Sequence, residues 1–147
     1  MRRAVHASTG TVLALDYGDR FIGVAVGEPA VGVAHPLVTI DERAAEPRLA
    51  AIAALVEEWT PALLVVGLPL SLDGEAHALT KRARGFARRL EARFALPVAL
   101  VDERLSSADA RERLRAIGQG GRQHKDLTHP VAAQAILQDW LDSHAAP

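Results

Sequence analysis

Two acidic residues each follow an apolar run of the sequence, a position in which a carboxylate can take part in catalysis. Asp16 follows the run 11–15, and Glu103 follows the run 97–101 after one further acid. A charged carboxylate at the end of a buried strand is costly to desolvate unless a partner compensates its charge. Hard cations such as Mg²⁺ prefer carboxylate oxygens, and a pair of these ions can activate water to attack a phosphodiester. The pattern indicates a metal site anchored on Asp16.

A metal site of this kind normally needs a third or fourth ligand, and the start of the last predicted helix offers two. Asp126 and His129 are three residues apart and can reach the same rim of a sheet. His129 lies near a helix N-terminus, whose positive end favours the neutral, metal-binding ring. Each residue alone also has a structural explanation, as a turn former, an ion-pair partner or a helix-entry residue. Arg104 is placed either to hold a phosphate or to pair with a neighbouring acid.

Basic residues concentrate on one predicted helix. Six basic residues and one acidic residue lie between positions 81 and 93, and Lys81, Arg84 and Arg88 share one stripe of the helix. Arg122 and Lys125 add positive charge in a glycine-rich loop. This asymmetry suits binding to a phosphate backbone, although a solvated helix face is the commoner explanation of such a run.

The bulk properties of the chain restrict its function class. It has 147 residues and a net charge of −1, which suits a single domain and does not by itself indicate a polyanionic partner. It has no cysteine, which excludes thiol catalysis, thiolate metal sites and disulfides. No segment approaches the roughly 20 apolar residues of a membrane span. We expect a flexible tail over 1–10, one domain over 11–147, and a cytoplasmic protein without membrane contact.

Apolar periodicity predicts five strands and four helices. The strands are expected at 11–15, 21–26, 31–40, 63–66 and 97–101, and the helices at 46–59, 76–94, 107–117 and 130–141. Pro36 suits an edge or bulged strand. A hairpin followed by alternating helices and strands predicts an α/β fold, with a mixed sheet flanked by helices. Because ligands gather at the carboxyl ends of parallel strands, Asp16 and Glu103 are expected on one rim.

Four sequence motifs occur in order between residues 11 and 141. They are Leu15-Asp16-Tyr17-Gly18 with Arg20-Phe21-Ile22-Gly23-Val24-Ala25, Val66-Gly67-Leu68-Pro69-Leu70 with Asp73-Gly74, Val101-Asp102-Glu103-Arg104-Leu105-Ser106-Ser107, and Ala132-Ala133 with Ile136-Leu137. This set resembles the YqgF/RuvX family. The resemblance implies an RNase H-like fold with a mixed five-stranded sheet, related to the RuvC-type Holliday junction resolvases.

The same resemblance implies a function. It implies Mg²⁺- or Mn²⁺-dependent hydrolysis of phosphodiester bonds in structured nucleic acid, and it gives Asp16 and Glu103 metal-binding roles. The substrate would be a Holliday-junction-type DNA or the 5′ end of the ribosomal RNA precursor, pre-16S rRNA. A resolvase makes two symmetry-related cuts, so a homodimer is expected if DNA junctions are the substrate.

One position departs from the family pattern. The family usually has an aspartate three residues before the paired alanines of the last helix, where this sequence has His129. Three interpretations are open. In the first, His129 itself is a metal ligand, which would favour Mn²⁺ because imidazole is a softer donor. In the second, Asp126 takes the role of the aspartate, and in the third, the metal site is weakened. A working site that uses His129, Asp126 or both is the favoured interpretation.

Two rival functions compete with a nuclease. A non-catalytic nucleic-acid-binding module with a degraded metal site would bind its partner without metal-dependent cleavage. An actin-like ATPase lobe also begins with Asp-x-Gly after its first strand. That fold clamps a nucleotide between two lobes, and 147 residues supply only one.

Overall fold

The computed structural model describes residues 10–69, 78–103 and 128–144, which form one mixed sheet with helices on both faces. Within these ranges the strands are β1 (Val12–Tyr17), β2 (Phe21–Glu28), β3 (Val33–Asp41), β4 (Leu63–Leu68) and β5 (Val98–Asp102), and the helices are α1 (Ala45–Trp59), α2 (Ala78–Phe94) and α3 (Thr128–Ser143). The strand order is β3-β2-β1-β4-β5. The predicted α/β class and five-stranded mixed sheet are confirmed.

β1 lies at the centre of the sheet. It pairs antiparallel with β2 and parallel with β4, and β4 pairs parallel with β5. The carboxyl ends of β1, β4 and β5 therefore meet at one rim. β1 is longer than its apolar run: Asp16 and Tyr17 pair with Gly23 and Ile22 of β2, so the hairpin ladder extends the strand past Leu15.

Side chains alternate between the two faces of β1 and divide the core into two layers. On one face, Leu15 packs with Ile52 of α1 and Leu90 of α2. On the other face, Ala14 packs with Leu137 of α3. All five side chains are fully buried, so both helical layers are fixed to the sheet by apolar burial.

β3 is an edge strand and is irregular, as Pro36 predicts. Its register with β2 shifts between Val24 and Ala25, whose partners are Val38 and Pro36. Leu37 is therefore an extra residue in β3, which makes a bulge. The proline is tolerated because an edge strand has one side without ladder hydrogen bonds.

Two glutamines of α3 bind the backbone of the edge strand. Gln138 accepts a hydrogen bond from the Ala34 amide and donates one to the Gly32 carbonyl, both at 2.9 Å. Gln134 donates to the Ala34 carbonyl at 3.0 Å. These contacts hold α3 to the edge of the sheet as well as to its face.

Some sequence predictions differ from the structure or fall outside it. α3 begins at Thr128, two residues before the predicted start at Pro130, which places His129 in its first turn. The predicted helix 107–117, the glycine-rich loop and the tail apart from Gly10 lie outside the described residues. Within the described ranges, none of the helices is long and apolar enough to cross a membrane.

Candidate active site

Asp16 lies near the carboxyl end of the central strand, on the sheet face covered by α3. Its ladder partners are both glycines, Gly23 on β2 and Gly67 on β4. Alternation along β1 directs Asp16 to the α3 face, while the next residue, Tyr17, packs against the opposite layer. The glycines leave the space around the Asp16 carboxylate free of neighbouring strand side chains.

Glu103 follows β5 directly and reaches the same place. A Cβ added at Gly67 would lie 2.9 Å from Glu103 Cγ and 3.0 Å from its Oε2, so the Glu103 side chain lies directly over Gly67. Gly67 is paired with Asp16 on one side and with Val101 on the other. The missing side chain at Gly67 therefore provides the room in which the two carboxyl groups meet.

The two carboxyl groups meet at one point of the rim, where each shifts the pKa of the other. Burial first, and then the charge of Asp16, raises the pKa of Glu103 to about 9. Burial also raises the pKa of Asp16, against the opposing hydrogen bond from Glu103 and the charge of His129. Two carboxylates this close do not readily both ionise, so a proton shared by the pair is favoured in the metal-free protein at neutral pH.

This pair fits a divalent cation. Glu103 Oε2 is buried and has no hydrogen-bond partner among the described residues. A buried carboxylate oxygen without a partner is unfavourable, and hard cations bind such oxygens. A cation at this point would displace the shared proton and compensate both charges. The oxygen donors suit Mg²⁺ or Mn²⁺ better than a metal that prefers sulfur.

His129 lies beside this pair, but its ring is engaged elsewhere. The imidazole stacks on Phe21, with ring centroids 4.6 Å apart and planes at 25°. Its charge still reaches Asp16, whose pKa it lowers. Over residues 10–69, 78–103 and 128–144, no three His, Cys, Asp or Glu side chains are grouped closely enough to hold a metal ion. The structure thus unites Asp16 with Glu103 and keeps His129 as their neighbour.

The predicted basic stripe lies on the other side of the sheet. Lys81, Arg84 and Arg88 are exposed on α2, which packs on the face opposite α3. The other predicted site residues lie outside the described ranges; they are Asp126, Arg104, Arg122 and Lys125.

A protein-family model described as "RuvX: Holliday junction resolvase" matches residues 10–143. The chain belongs to this family. A protein of Methylobacillus flagellatus named "Putative pre-16S rRNA nuclease" is 57% identical to this RuvX chain over 140 residues, which cover 95% of this chain and 96% of the relative. A protein of the same name from Nitrosomonas europaea is 52% identical over 141 residues, 95% of each chain.

Solved structures similar to this RuvX chain include Holliday junction resolvases. T. thermophilus RuvC in complex with a Holliday junction substrate gives a TM-score of 0.57 at 18% identity, over 90% of this chain and 94% of RuvC. The Fowlpox virus resolvase with Holliday junction DNA gives 0.58 at 7% identity, over 90% and 97%. At these identities the likeness shows the fold, so the predicted RNase H-like fold is confirmed.

Sequence reasoning missed the glycines that shape the RuvX site. A Cβ added at Gly23 would lie 1.9 Å from the carbonyl oxygen of His129, so the first turn of α3 rests directly on β2. A glycine within an otherwise apolar strand indicates a bulge or a close approach of another backbone. That signal is present at both Gly23 and Gly67, although the sequence alone does not identify the approaching partner.

Proposed function

We propose that this chain is a metal-dependent nuclease in which Asp16 and Glu103 hold Mg²⁺ or Mn²⁺ against a phosphate of structured nucleic acid. The observation that carries the proposal is the buried carboxyl pair at the rim, with Glu103 Oε2 left without a partner. None of the ion pairs among the described residues involves either acid. Family membership and the names of the relatives support nuclease activity, which is hydrolysis of phosphodiester bonds.

The proposed reaction is an in-line attack of water on a backbone phosphate at this rim. A divalent cation held at this rim would supply a water of lowered pKa and would stabilise charge on the phosphate oxygens. Asp16 on the central strand and Glu103, which follows β5, would hold the cation, and their shared proton would pass to solvent when the cation binds. The sheet fixes Asp16, which is paired on both sides, and it positions Glu103 one residue beyond the last β4–β5 pair, Leu68 with Asp102.

The remaining ligand position is proposed to belong to Asp126 or His129. To bind a metal, the His129 ring would have to leave its stack on Phe21, and an imidazole ligand would shift the preference toward Mn²⁺. Asp126 would keep an oxygen-only ligand set, which suits Mg²⁺ equally well. In that case His129 acts through its positive charge beside Asp16 when it is protonated.

The proposed substrate is the precursor of 16S ribosomal RNA, cut near its 5′ end. The relatives at 57% and 52% identity carry that name, whereas the resolvase structures are only 18% and 7% identical. A ribosomal substrate would place the protein in the cytoplasm. A four-way DNA junction is the second candidate, because the family is described as a Holliday junction resolvase. Junction cutting would also require a homodimer with two symmetry-related rims.

The test is cleavage of three labelled substrates by the purified protein. A pre-16S RNA fragment, a four-way DNA junction and a linear duplex are each incubated with Mn²⁺, Mg²⁺ or EDTA. We expect metal-dependent cutting that falls by at least about a hundredfold in Asp16→Asn and Glu103→Gln, since even groups that only support metal ligands contribute about 10–100-fold. The matched control is Glu58→Gln, an exposed acid on α1, which should cut like the wild type.

Each outcome has a definite meaning. Preference for the RNA fragment supports ribosomal RNA processing, and preference for the junction supports recombination. Loss of Mn²⁺-dependent cutting in His129→Ala makes the histidine a working part of the site, and retention assigns the role to Asp126. If no substrate is cut while binding survives in Asp16→Asn, the protein is a nucleic-acid-binding module and the nuclease proposal is wrong.

A further inference from the structure

A second site candidate lies on the sheet face opposite the carboxyl pair. The groove between α1 and α2 encloses about 340 Å³, and its lining includes Arg43, Arg48, Arg82 and Arg89. Of the described residues that line it, none is acidic. Three of these four arginines form no ion pair with a described acid, so the concave surface carries positive charge that attracts anions.

Arg48 gives this groove a buried cation. Only 4% of the residue is exposed, and its guanidinium donates hydrogen bonds to two backbone carbonyls, those of Glu42 and Gly18. It also lies over the Tyr17 ring, 5.2 Å from the centroid. No ion pair joins it to a carboxylate in the described part of the chain. A buried guanidinium held by neutral acceptors remains electrostatically available to an anion in the groove.

The other three arginines stand around the groove at its surface. Arg82 is paired with Asp19 at 2.7 Å. Arg43 and Arg89 are exposed, and neither forms an ion pair with a described acid. These two side chains are therefore free to close on a ligand from opposite walls, one before α1 and one on α2.

Two further features select the kind of anion. α1 begins at the groove with Ala44 as its N-cap, which makes no side-chain cap hydrogen bond, so the positive end of a helix lies beside the arginines. Glu46 in the first turn is ion-paired with Arg93. Tyr17 and Phe86 form an aromatic wall, with ring centroids 5.0 Å apart. A charged group with an attached sugar or base matches arginines beside an apolar wall.

We propose that this groove binds a phosphate ester, from a nucleotide or from a nucleic-acid backbone, with Arg43, Arg48 and Arg89 holding the phosphate. Gly85 lies between Arg82 and Arg89 of α2 and faces open space in the groove, because a Cβ there would meet nothing within 4 Å. Binding in this groove does not depend on the nuclease proposal, since the carboxyl pair lies on the other face of the sheet.

The test is a titration of the full chain in EDTA, followed through backbone amide chemical shifts. The probes are adenosine monophosphate and a tetranucleotide, used separately. We expect saturable shifts at Ala45 and Gly85, with Gly67 at the carboxyl pair as a silent reference. The double variant Arg43→Gln/Arg89→Gln, which removes two exposed side chains, should weaken binding by at least about tenfold.

The matched control is Arg20→Gln, which removes one exposed arginine outside the groove. It should change affinity by less than about twofold, because exposed charges at a distance are screened. Binding of both probes supports a nucleotide-type ligand, and binding of the tetranucleotide alone supports the nucleic-acid backbone. Absence of saturable shifts at Ala45 and Gly85, or equal weakening by Arg20→Gln, would overturn the proposal and leave the nuclease test unaffected.

Discussion

The proton that Glu103 shares with Asp16 makes the metal-free protein sensitive to pH. Burial and the neighbouring charge raise the pKa of Glu103 from 4.5 to about 9, so the folded state binds this proton more tightly than the unfolded chain. The resulting stability is fully present below the unfolded value and is lost as the pH rises through the folded value. Burial shifts the pKa of Asp16 in the same direction.

We therefore expect the metal-free protein to lose stability between about pH 5 and pH 9, with a slope approaching about 1.4 kcal/mol per pH unit for one proton. The measurement is the free energy of unfolding by urea in EDTA at several pH values across this range. Glu103→Gln has no proton to lose there and should give a flatter profile. Two parallel profiles would contradict the shared proton.

At this scale, the sequence reveals the acids but not their interaction. Asp16 and Glu103 can be found because an acid at the end of a buried apolar run is costly to desolvate without a partner, and because both lie in motifs that resemble the family's. The shared proton depends on how β1, β4 and β5 pair, and the stack of His129 on Phe21 depends on where α3 packs against the sheet, so neither can be found in this way. The position of Asp126 relative to the pair stays a prediction.

One glycine in β2 and one in β4 determine how closely α3 approaches the sheet. A Cβ at Gly23 would lie 1.9 Å from the His129 carbonyl oxygen, and one at Gly67 would lie 2.5 Å from Ile136 Cδ1. Both distances are far below ordinary van der Waals contact. The start of α3 therefore fits only against glycine, and this fit is what brings His129 close to Asp16.

Two glycine-to-alanine substitutions should have opposite effects. Gly23→Ala should destabilise the protein by about 3 kcal/mol or more, because its Cβ meets a backbone atom that cannot rotate away. Gly85→Ala, on α2 with open space around it, should stabilise the protein by about 1 kcal/mol through helix propensity. Urea denaturation of both variants measures the difference. A Gly23→Ala protein as stable as the wild type would show that α3 does not rest on β2.

The sequence predicts the described elements to within a few residues, because burial of one face requires an apolar period. It misses the extension of β1 to Tyr17 and the start of α3 at Thr128. The end of β1 and the start of α3 are set by strand pairing and by packing between distant parts of the chain. Neither can be predicted from local residue preferences. The strand order is likewise absent from periodicity, because the pattern of one segment does not say which other segment it pairs with.

Charge is distributed unevenly over the molecule, although its net charge is only −1. The exposed stripe of Lys81, Arg84 and Arg88 runs along α2, and the carboxyl pair lies on the face covered by α3. A nucleic acid bound by this stripe and cut at the pair would have to pass around the rim where β1 ends. Long, structured substrates can do this more readily than short ones.

If this stripe contacts the phosphate backbone, its removal should weaken the salt dependence of nucleic-acid binding. Each lost phosphate contact lowers the slope of log K against log salt by about 0.7–0.9, so the variant with all three residues changed to Gln should lose about 2–3. Arg88→Gln alone should lose about one, and Arg20→Gln should lose nothing. The slope is measured by fluorescence anisotropy in EDTA, and every variant compared also carries Asp16→Asn. An unchanged slope in the triple variant would mean that the stripe is only a solvated helix face.

The glutamines that tie α3 to β3 also restrict how two copies of the chain can associate. Free amide and carbonyl groups on an edge strand form a template on which a second molecule can add its own strand. At Ala34 both backbone groups already bind Gln134 and Gln138, and the bulge at Leu37 interrupts the strand further along. A second copy therefore cannot add a continuous strand along this part of β3, because the groups at Ala34 are already bonded and the bulge interrupts the ladder.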